Sequence, residues 1–469
     1  MLEKWLIAEK IIKTLNKNGF EAYVVGGAVR DMLLKIECKD IDITTNAPIN
    51  KIEEIFDGYK LHNLNKNFGV INIDGIDVAH YRQDFYSGLS DKNVKVILLN
   101  NLEEDLSRRD FTINAMAYDI TNKKIIDLFD GISDLKRKEI NFVKNPDERI
   151  YEDPNRIFRA FRFLAKINGT FGEKTKQSII KNYSLVKYVK QERIKEEIRK
   201  LLSSTKKSSI FFNSLQEVGI LQYIFPQLSA GWEHPHGPHH KEDIFQHNML
   251  VGDNLSTKNW LLKLSGYLHD IGKPISAKIN PRTDDFMFTG HSSAGADEVY
   301  KNLRFLKFSN EETTYVTTMI KIHMKSILSA TPKSIRKILV ILKENNMENC
   351  YKDLIRLRCA DKAGNLLHSN KYSLREIRTM LLKFKEELNR EGPKNPFSKL
   401  EVNGNDVMEI CGIRPGPRVG FILNQLYKLV CYNQNLNEKS KLTRIMKSIN
   451  SKKIVVKIKE SNDLELEEI

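Results

Sequence analysis

Apolar positions change their period several times along the chain, and the first changes mark out a small sheet with helices on it. Trp5, Ala8, Ile12 and Leu15 recur at helical spacing, which predicts a helix over residues 2–18 with one face in a core. Tyr23-Val24-Val25 reads as a short strand that ends at Gly26-Gly27, after which Ala28-Val29-Arg30-Asp31 opens a helix. In Asp40-Ile41-Asp42-Ile43 strand alternation sends both carboxylates to one face and both isoleucines to the other. Asn46-Ala47-Pro48 reads as a turn with a cap for a helix near 49–56. The alternating run from Gly69 to Ala79, broken by Asp74-Gly75, predicts two strands joined by a tight turn. Residues 83–101 are a polar stretch.

Further on the period is helical. Pro154 at a first helical position leaves Asp153 as the N-cap. Arg156, Arg159 and Arg162 then recur every three residues on one face, where their mutual repulsion calls for an anionic ligand. Residues Gln191–Leu202 form an amphipathic helix in which Ile194, Ile198 and Leu201 pack while opposed charges pair. From about residue 230 the character shifts, and eight of the eleven histidines fall between 234 and 323. The remainder, 367–469, reads as helices, with a basic run from Lys439 to Lys459 and an acidic, frayed end from Glu460.

A chain of 469 residues exceeds one ordinary core, so several domains are expected. The formal charge of +15 suits a polyanionic partner. Five scattered cysteines without a CxxC pair indicate neither a disulfide framework nor a zinc ribbon, and read as reduced cytosolic thiols. No apolar run approaches the roughly 18 residues of a membrane span, so a soluble cytoplasmic protein with no membrane partner is expected.

The candidate chemistry begins at the Gly26-Gly27 turn, where backbone can come close to a phosphate beside the Arg30 guanidinium. Asp40 and Asp42 on one face can hold a divalent metal. In this order and spacing, GGAVRD and DID resemble the signature of the class II tRNA CCA-adding enzymes and bacterial poly(A) polymerases. The resemblance implies that Gly27 and Arg30 meet the incoming nucleotide and that Asp40 and Asp42 hold Mg2+. Asp77, just before Val78-Ala79-His80-Tyr81-Arg82, resembles the third carboxylate of that family. RRDFTINA resembles a second motif, which makes Arg109 a nucleotide contact. By the same likeness residues 83–101 are the flexible loop that helps the enzyme finish with A after CC; the basic residue usual after its tyrosine and glycine is missing here.

EDPNR resembles the motif that reads the base. Cytosine and adenine both present an exocyclic amine, which the Asp153 carboxylate can accept, beside a ring nitrogen to which Arg156 can donate; uracil and guanine present a carbonyl instead. By the same match Arg159 and Arg162 contact the nucleotide. LHDIGKP, with an upstream histidine and a downstream aspartate, resembles the all-helical HD phosphohydrolase domain. This implies a second divalent metal on His247, His269, Asp270 and Asp361, with His291 and His323 as further ligands or phosphate contacts. The loop carrying His234, His236, His239 and His240 is not expected to be a site.

The expected fold is α+β: a mixed-sheet nucleotidyltransferase head (1–137), a helical neck with the base-reading motif (138–229), an HD domain (230–366) and a helical, tRNA-binding tail (367–469). The expected activity is template-independent addition of CCA to tRNA from CTP and ATP. Its rivals are a poly(A) polymerase, an enzyme adding only CC or only A, and, from another class, a metal-dependent phosphohydrolase with an RNA-binding head.

Overall fold

The computed structural model describes residues 2–38, 40–65, 69–86, 94–367, 371–391, 397, 400–452, 454–458 and 464–468. The chain divides into two units, Met1–Tyr223 and Ile224–Ile469.

The first unit opens with α1 (Leu2–Lys17), whose Ala8, Ile12 and Leu15 are buried as their spacing predicts. Then come β1 (Ala22–Val25), α2 (Gly27–Leu33), β2 (Asp42–Thr45), α3 (Ile49–Ile55), β3 (Leu61–Asn65), β4 (Val70–Ile73) and β5 (Ile76–His80). With β8 (Met116–Asp119) and β9 (Lys124–Asp127) these strands form one sheet in the order β3-β4-β5-β2-β1-β8-β9. Only β2 and β5 in this sheet run parallel, because α3, β3 and β4 intervene between them. Asp74 and Gly75, both at positive φ, make the tight β4–β5 turn that the Asp-Gly pair predicts. The turn before α3 differs from expectation. Pro48 is its N-cap with no side-chain hydrogen bond, and the Asn46 side chain instead accepts from the Glu21 amide.

The polar stretch 83–101 is also not a plain loop. β6 (Arg82–Tyr86) pairs antiparallel with β7 (Val94–Leu98), fastened by Arg108, which bridges Asp84 and Asp105. Its tip, residues 87–93, lies outside the described residues.

After α4 (Leu102–Ser107), α5 (Gly131–Arg137) and α6 (Pro146–Glu152) comes α7 (Asn155–Ile167), followed by α8 (Glu173–Asn182). Eleven of the thirteen residues of α7 are buried, Arg156 and Arg162 among them, so its cations must find anions inside the protein. Arg159 donates twice to Asp110, at 2.7 and 2.5 Å; Arg162 donates to Glu197 of α9 (Gln191–Ser204) at 2.5 Å; Lys166 pairs with Asp31 of α2 at 2.9 Å. The Phe163 ring lies beneath the guanidiniums of Arg30 and Arg162, 5.0 and 4.1 Å away.

In the second unit, helices Ile244–Asn254, Trp260–Leu268, Asn310–Ile322, Pro332–Glu344, Tyr351–Gly364 and Leu374–Glu391 share a core through Val251, Leu262, Met319, Leu339, Leu354 and Phe384. Helices Gly404–Cys411, Pro417–Tyr432 and Lys439–Lys452 share another with Val340. The C-terminal stretch is not helical and frayed as expected: Ile454–Ile458 pairs antiparallel with Leu464–Glu468. No helix among the described residues is long and apolar enough to cross a membrane.

Two predictions follow from this packing. Burial by itself raises the Asp110 carboxyl, but Arg159 and the hydrogen bonds from Arg159 and Asn114 outweigh it and bring the pKa down to about 2. With an unfolded value of about 3.9, the stability this carboxylate adds is about 2–3 kcal/mol; it is complete above about pH 5 and lost as the pH falls to about 2 and below. Arg159→Met should therefore cost about 3–5 kcal/mol near neutrality by leaving the charge unpaired, with a smaller deficit below pH 4, read by urea unfolding at both pH values. In the second unit a Cβ on Gly272 would lie 2.0 Å from the His291 carbonyl and 2.5 Å from the Gly295 amide, both backbone. Gly272→Ala should lose about 1–3 kcal/mol, seen as a fall in Tm.

Candidate active site

The sheet register assembles the first site. Val25, the last residue of β1, lies opposite Asp42, the first of β2, and Asp42 lies opposite Asp77 on β5. The Gly26-Gly27 turn therefore sits at the end of the sheet where the two carboxylates stand side by side. Gly26 takes φ +72°, and a Cβ there would come within 3.0 Å of Arg109 Nη1, so the turn excludes side chains twice over. Asp40 is exposed two residues ahead of Asp42, with Ile41 and Ile43 buried on the opposite face. The alternation expected for these four residues is present, although the strand itself begins at Asp42.

The Asp42 side chain reaches solvent, yet its pKa is raised. Desolvation pushes it up, Arg109 pulls it down, and Asp77 and Asp40 push it up again. Arg109 beside Asp42, and Lys4 at 3.6 Å from Asp40, offset the repulsion among the three carboxylates only in part, and oxygen donors of this kind suit a hard divalent cation. Asn72 donates to Asp77 Oδ1 at 2.6 Å and fixes that carboxylate. Arg109 is anchored at 3.2 Å on Asp105, a buried carboxylate held below its ordinary range because Arg109 and Arg108 outweigh its desolvation.

Arg30, expected to meet the incoming nucleotide, is packed beside the turn. It is 4% exposed, donates to Asp31 at 2.9 and 2.7 Å, and holds Asn114 Oδ1 at 2.5 Å. The arginines of α7 are likewise met by carboxylates of the protein itself, Glu152, Asp110 and Glu197. Arg156 donates to Glu152 at 2.6 Å and to the Arg149 carbonyl at 2.9 Å. Asp153 is not the N-cap, since Pro154 occupies that position. Its carboxylate accepts from the Asn155 amide at 3.1 Å and from both ends of the Arg193 guanidinium at 2.9 and 2.7 Å. Arg193, Glu197, Glu152, Asp110 and Phe163 are the residues that sequence reasoning passed over. Arg193 and Glu197 lay in a helix whose charges looked like ordinary surface pairs, and only the packing of α9 on α7 turns them inward.

A second polar centre lies in the other unit, on helices Ile244–Asn254 and Tyr351–Gly364, at the ends of Trp260–Leu268 and Asn310–Ile322, and at the start of His291–Phe305. Asp270, 2% exposed, is its middle. His291 and His323 place Nε2 at 3.3 and 3.4 Å from Asp270 Oδ1; His269 places Nε2 at 3.3 Å from Oδ2; His247 Nε2 faces Asp361 Oδ1 at 3.1 Å. His269, His291 and His323 each donate from Nδ1 to the carbonyl three residues back, which leaves Nε2 as the bare acceptor. These three Nε2 atoms and Asp270 Oδ1 are buried and make no hydrogen bond. Lys273 meets Asp270 Oδ2 at 2.7 Å, and the lone pairs left without a donor around Oδ1 are what a metal centre requires. Burial disfavours the His269 imidazolium, but Asp270 and Asp361 beside it lift that pKa to about 10, so a cation bound here takes the place of the Nε2 proton.

The loop set aside as no site contributes after all. His236 is 5% exposed, with Nε2 3.2 Å from Asp270 Oδ2 and in contact with Lys273, and its ring stacks on that of His240 at 3.6 Å. The clue was spacing: His236 and His240 lie four apart, shortly before His247.

Family models match in three places: the poly A polymerase head domain over residues 22–141, a probable RNA- and SrmB-binding site of polymerase A over 170–231, and the HD domain over 246–363. A CCA-adding enzyme of Lactobacillus helveticus is 40% identical over 200 residues, 41% of this chain; that match spans about half of the relative, 49% of its length. A CCA-adding enzyme of Staphylococcus saprophyticus is 27% identical over 447 residues, 94% of this chain and 98% of that protein. The crystal structure of the Bacillus stearothermophilus CCA-adding enzyme in complex with CTP aligns over 94% of this chain and 96% of its own, with TM-score 0.64 and 23% identity, a likeness of fold. With head, RNA-binding segment and HD domain in this order, the chain belongs to the family of class II CCA tRNA nucleotidyltransferases and poly(A) polymerases that carry an HD domain.

Proposed function

We propose that this protein adds CCA to the 3′ end of tRNA without a template, using CTP and ATP and releasing pyrophosphate, in the cytoplasm. The observation that carries the reading is the register that sets Asp42 across from Asp77 and beside the Gly26-Gly27 turn. The names borne by the relatives support it, as do the two family models of the first unit. In this reading residues 1–137 are the head, 138–229 the neck, 230–366 the HD domain and 367–469 a tail that holds tRNA.

Asp40 and Asp42, with Asp77, would hold Mg2+, an ion that favours oxygen donors. When bound, such ions lower the charge barrier to attack of the RNA 3′-hydroxyl on the α-phosphorus and to departure of pyrophosphate. The protein's own groups do the positioning. Gly27 gives the triphosphate access to backbone amides, and Arg109, fixed on Asp105, meets its charge. Asp153 accepts from the exocyclic amine of cytosine or adenine and Arg156 donates to the adjacent ring nitrogen, while Arg159 and Arg162 contact the nucleotide from the same helix. Because Arg193 and Glu152 already engage the two reading groups, a correct base shares satisfied partners, whereas uracil or guanine sets carbonyl against carboxylate.

Buried, donorless nitrogens around Asp270 favour a second activity. We infer that His247, His269, Asp270 and Asp361, with His291 and His323 adjacent, hold a divalent metal that supplies hydroxide for phosphoester hydrolysis near neutral pH.

Incubating the full chain with tRNA lacking its 3′ end and single nucleotides tests the main reading: CTP and ATP should both be incorporated, with a stop after A. Continued A addition would mean a poly(A) polymerase, and incorporation of C or A alone a partial enzyme. Asp42→Ala should reduce incorporation about a thousandfold or more, several kcal/mol of lost charge stabilisation, at unchanged Tm; near-normal incorporation would refute the assignment. Arg156→Ala should raise UTP and GTP misincorporation relative to CTP and ATP by about 5- to 150-fold, the worth of one mismatched contact. Asp270→Ala should abolish metal-dependent phosphate release and leave CCA addition intact.

A further inference from the structure

His247 is the one ligand candidate among the histidines facing Asp270 and Asp361 that sits inside a helix, four residues into Ile244–Asn254. His269, His291 and His323 lie at helix ends, where each Nδ1 reaches a backbone carbonyl three residues back. The carbonyl three residues before His247, that of Ile244, already accepts from the Asn248 side chain at 2.9 Å. His247 Nδ1 instead donates to Glu242 Oε1 at 3.1 Å. The carboxylate is fully used. Oε1 also accepts from His240 Nδ1 at 2.6 Å, and Oε2 accepts from the amides of Leu366 at 3.0 Å and Lys241 at 3.2 Å. Its side chain is wholly buried, two residues before the helix that carries His247.

We propose that Glu242 is the positioning residue of this centre: it fixes the tautomer of His247 so that Nε2 offers its lone pair to a metal, and it does so with a negative charge where the other three rings use neutral carbonyls. A carboxylate behind an imidazole raises the basicity of its far nitrogen, so His247 becomes the strongest nitrogen donor of the set. Through Leu366, five residues past Asp361, the same carboxylate ties down the end of the helix that brings Asp361 to His247. One buried side chain thus sets the spacing of two ligand candidates more than a hundred residues apart in sequence. His236, His240, Glu242 and His247 also lie close enough together to chelate an ion by themselves. The proposal instead keeps Glu242 off the metal, since both its oxygens already receive N–H donors.

The inference rests on the metal-binding reading of the second unit, and the test separates the two. Co2+ is titrated into the full chain, followed by its visible absorption and by competition with a chelator, for the wild type and for Asp361→Ala, Glu242→Gln and Glu242→Asp. Thermal unfolding with chelator present checks that each variant folds. Expected are tight binding by the wild type, its loss in Asp361→Ala, and affinity about 10- to 100-fold weaker in Glu242→Gln with unchanged stoichiometry and a shifted cobalt spectrum. Glu242→Asp, which keeps the charge and shortens the reach, should fall between. Wild-type affinity in Glu242→Gln would overturn the proposal and leave the metal reading standing. Loss of one whole ion in Glu242→Gln would also overturn it, by making Glu242 a ligand. No Co2+ bound by the wild type, or none lost in Asp361→Ala, would remove the metal reading itself and the proposal with it.

Discussion

Charged groups placed inside a protein must be neutralised where they stand, and that constraint organises both units. In the first, α7 is buried almost all round while carrying Arg156, Arg159 and Arg162, and each guanidinium is met by a carboxylate from a different element: Glu152, Asp110 and Glu197. Because those carboxylates come from α6, the stretch before the β8 strand and α9, the pairing ties together elements distant in sequence beside the buried Phe158 and Phe161. Removing one partner leaves the other as an isolated buried charge, a far larger penalty than the pair is worth as a gain.

The candidate sites are the places where this neutralisation is left incomplete. At the end of the sheet Asp42 stands beside Asp77 with Asp40 two residues ahead, and the Asp42 carboxyl is raised although Arg109 acts on it and Lys4 pairs with Asp40. Around Asp270 the unmet groups are imidazole nitrogens, buried and without donors. Hard oxygen donors near solvent and nitrogen-rich donors in a closed pocket select different cations, so the two candidate sites differ in the chemistry they can support. Each stands on rigid elements: strand register in the first unit, helix ends and Glu242 in the second.

The same network bears on the proposed base selection. Asp153 is held by Arg193 and Arg156 by Glu152, so neither side chain is loose. A pair already oriented loses little entropy on binding and responds sharply to a partner of the wrong polarity.

Periodicity and local chemistry determined much of this protein without any coordinates. The helix over residues 2–17, the strands around Asp74-Gly75, the face shared by Asp40 and Asp42, and the histidine-rich segment all follow from spacing, because alternation and helical repeat are local properties of the chain. What spacing could not settle was partnership. Residues 83–101 looked like a polar loop because their strands are held by Arg108, which lies outside the stretch itself. The α7 arginines looked like a face awaiting an anion because Asp110 and Glu197 lie far away in sequence. The His236 loop looked inert because only folding brings it over Asp270. A residue's own period tells which way it points; which opposite charge or lone pair it meets depends on long-range packing, and that is decided only when distant elements are brought within a few ångströms.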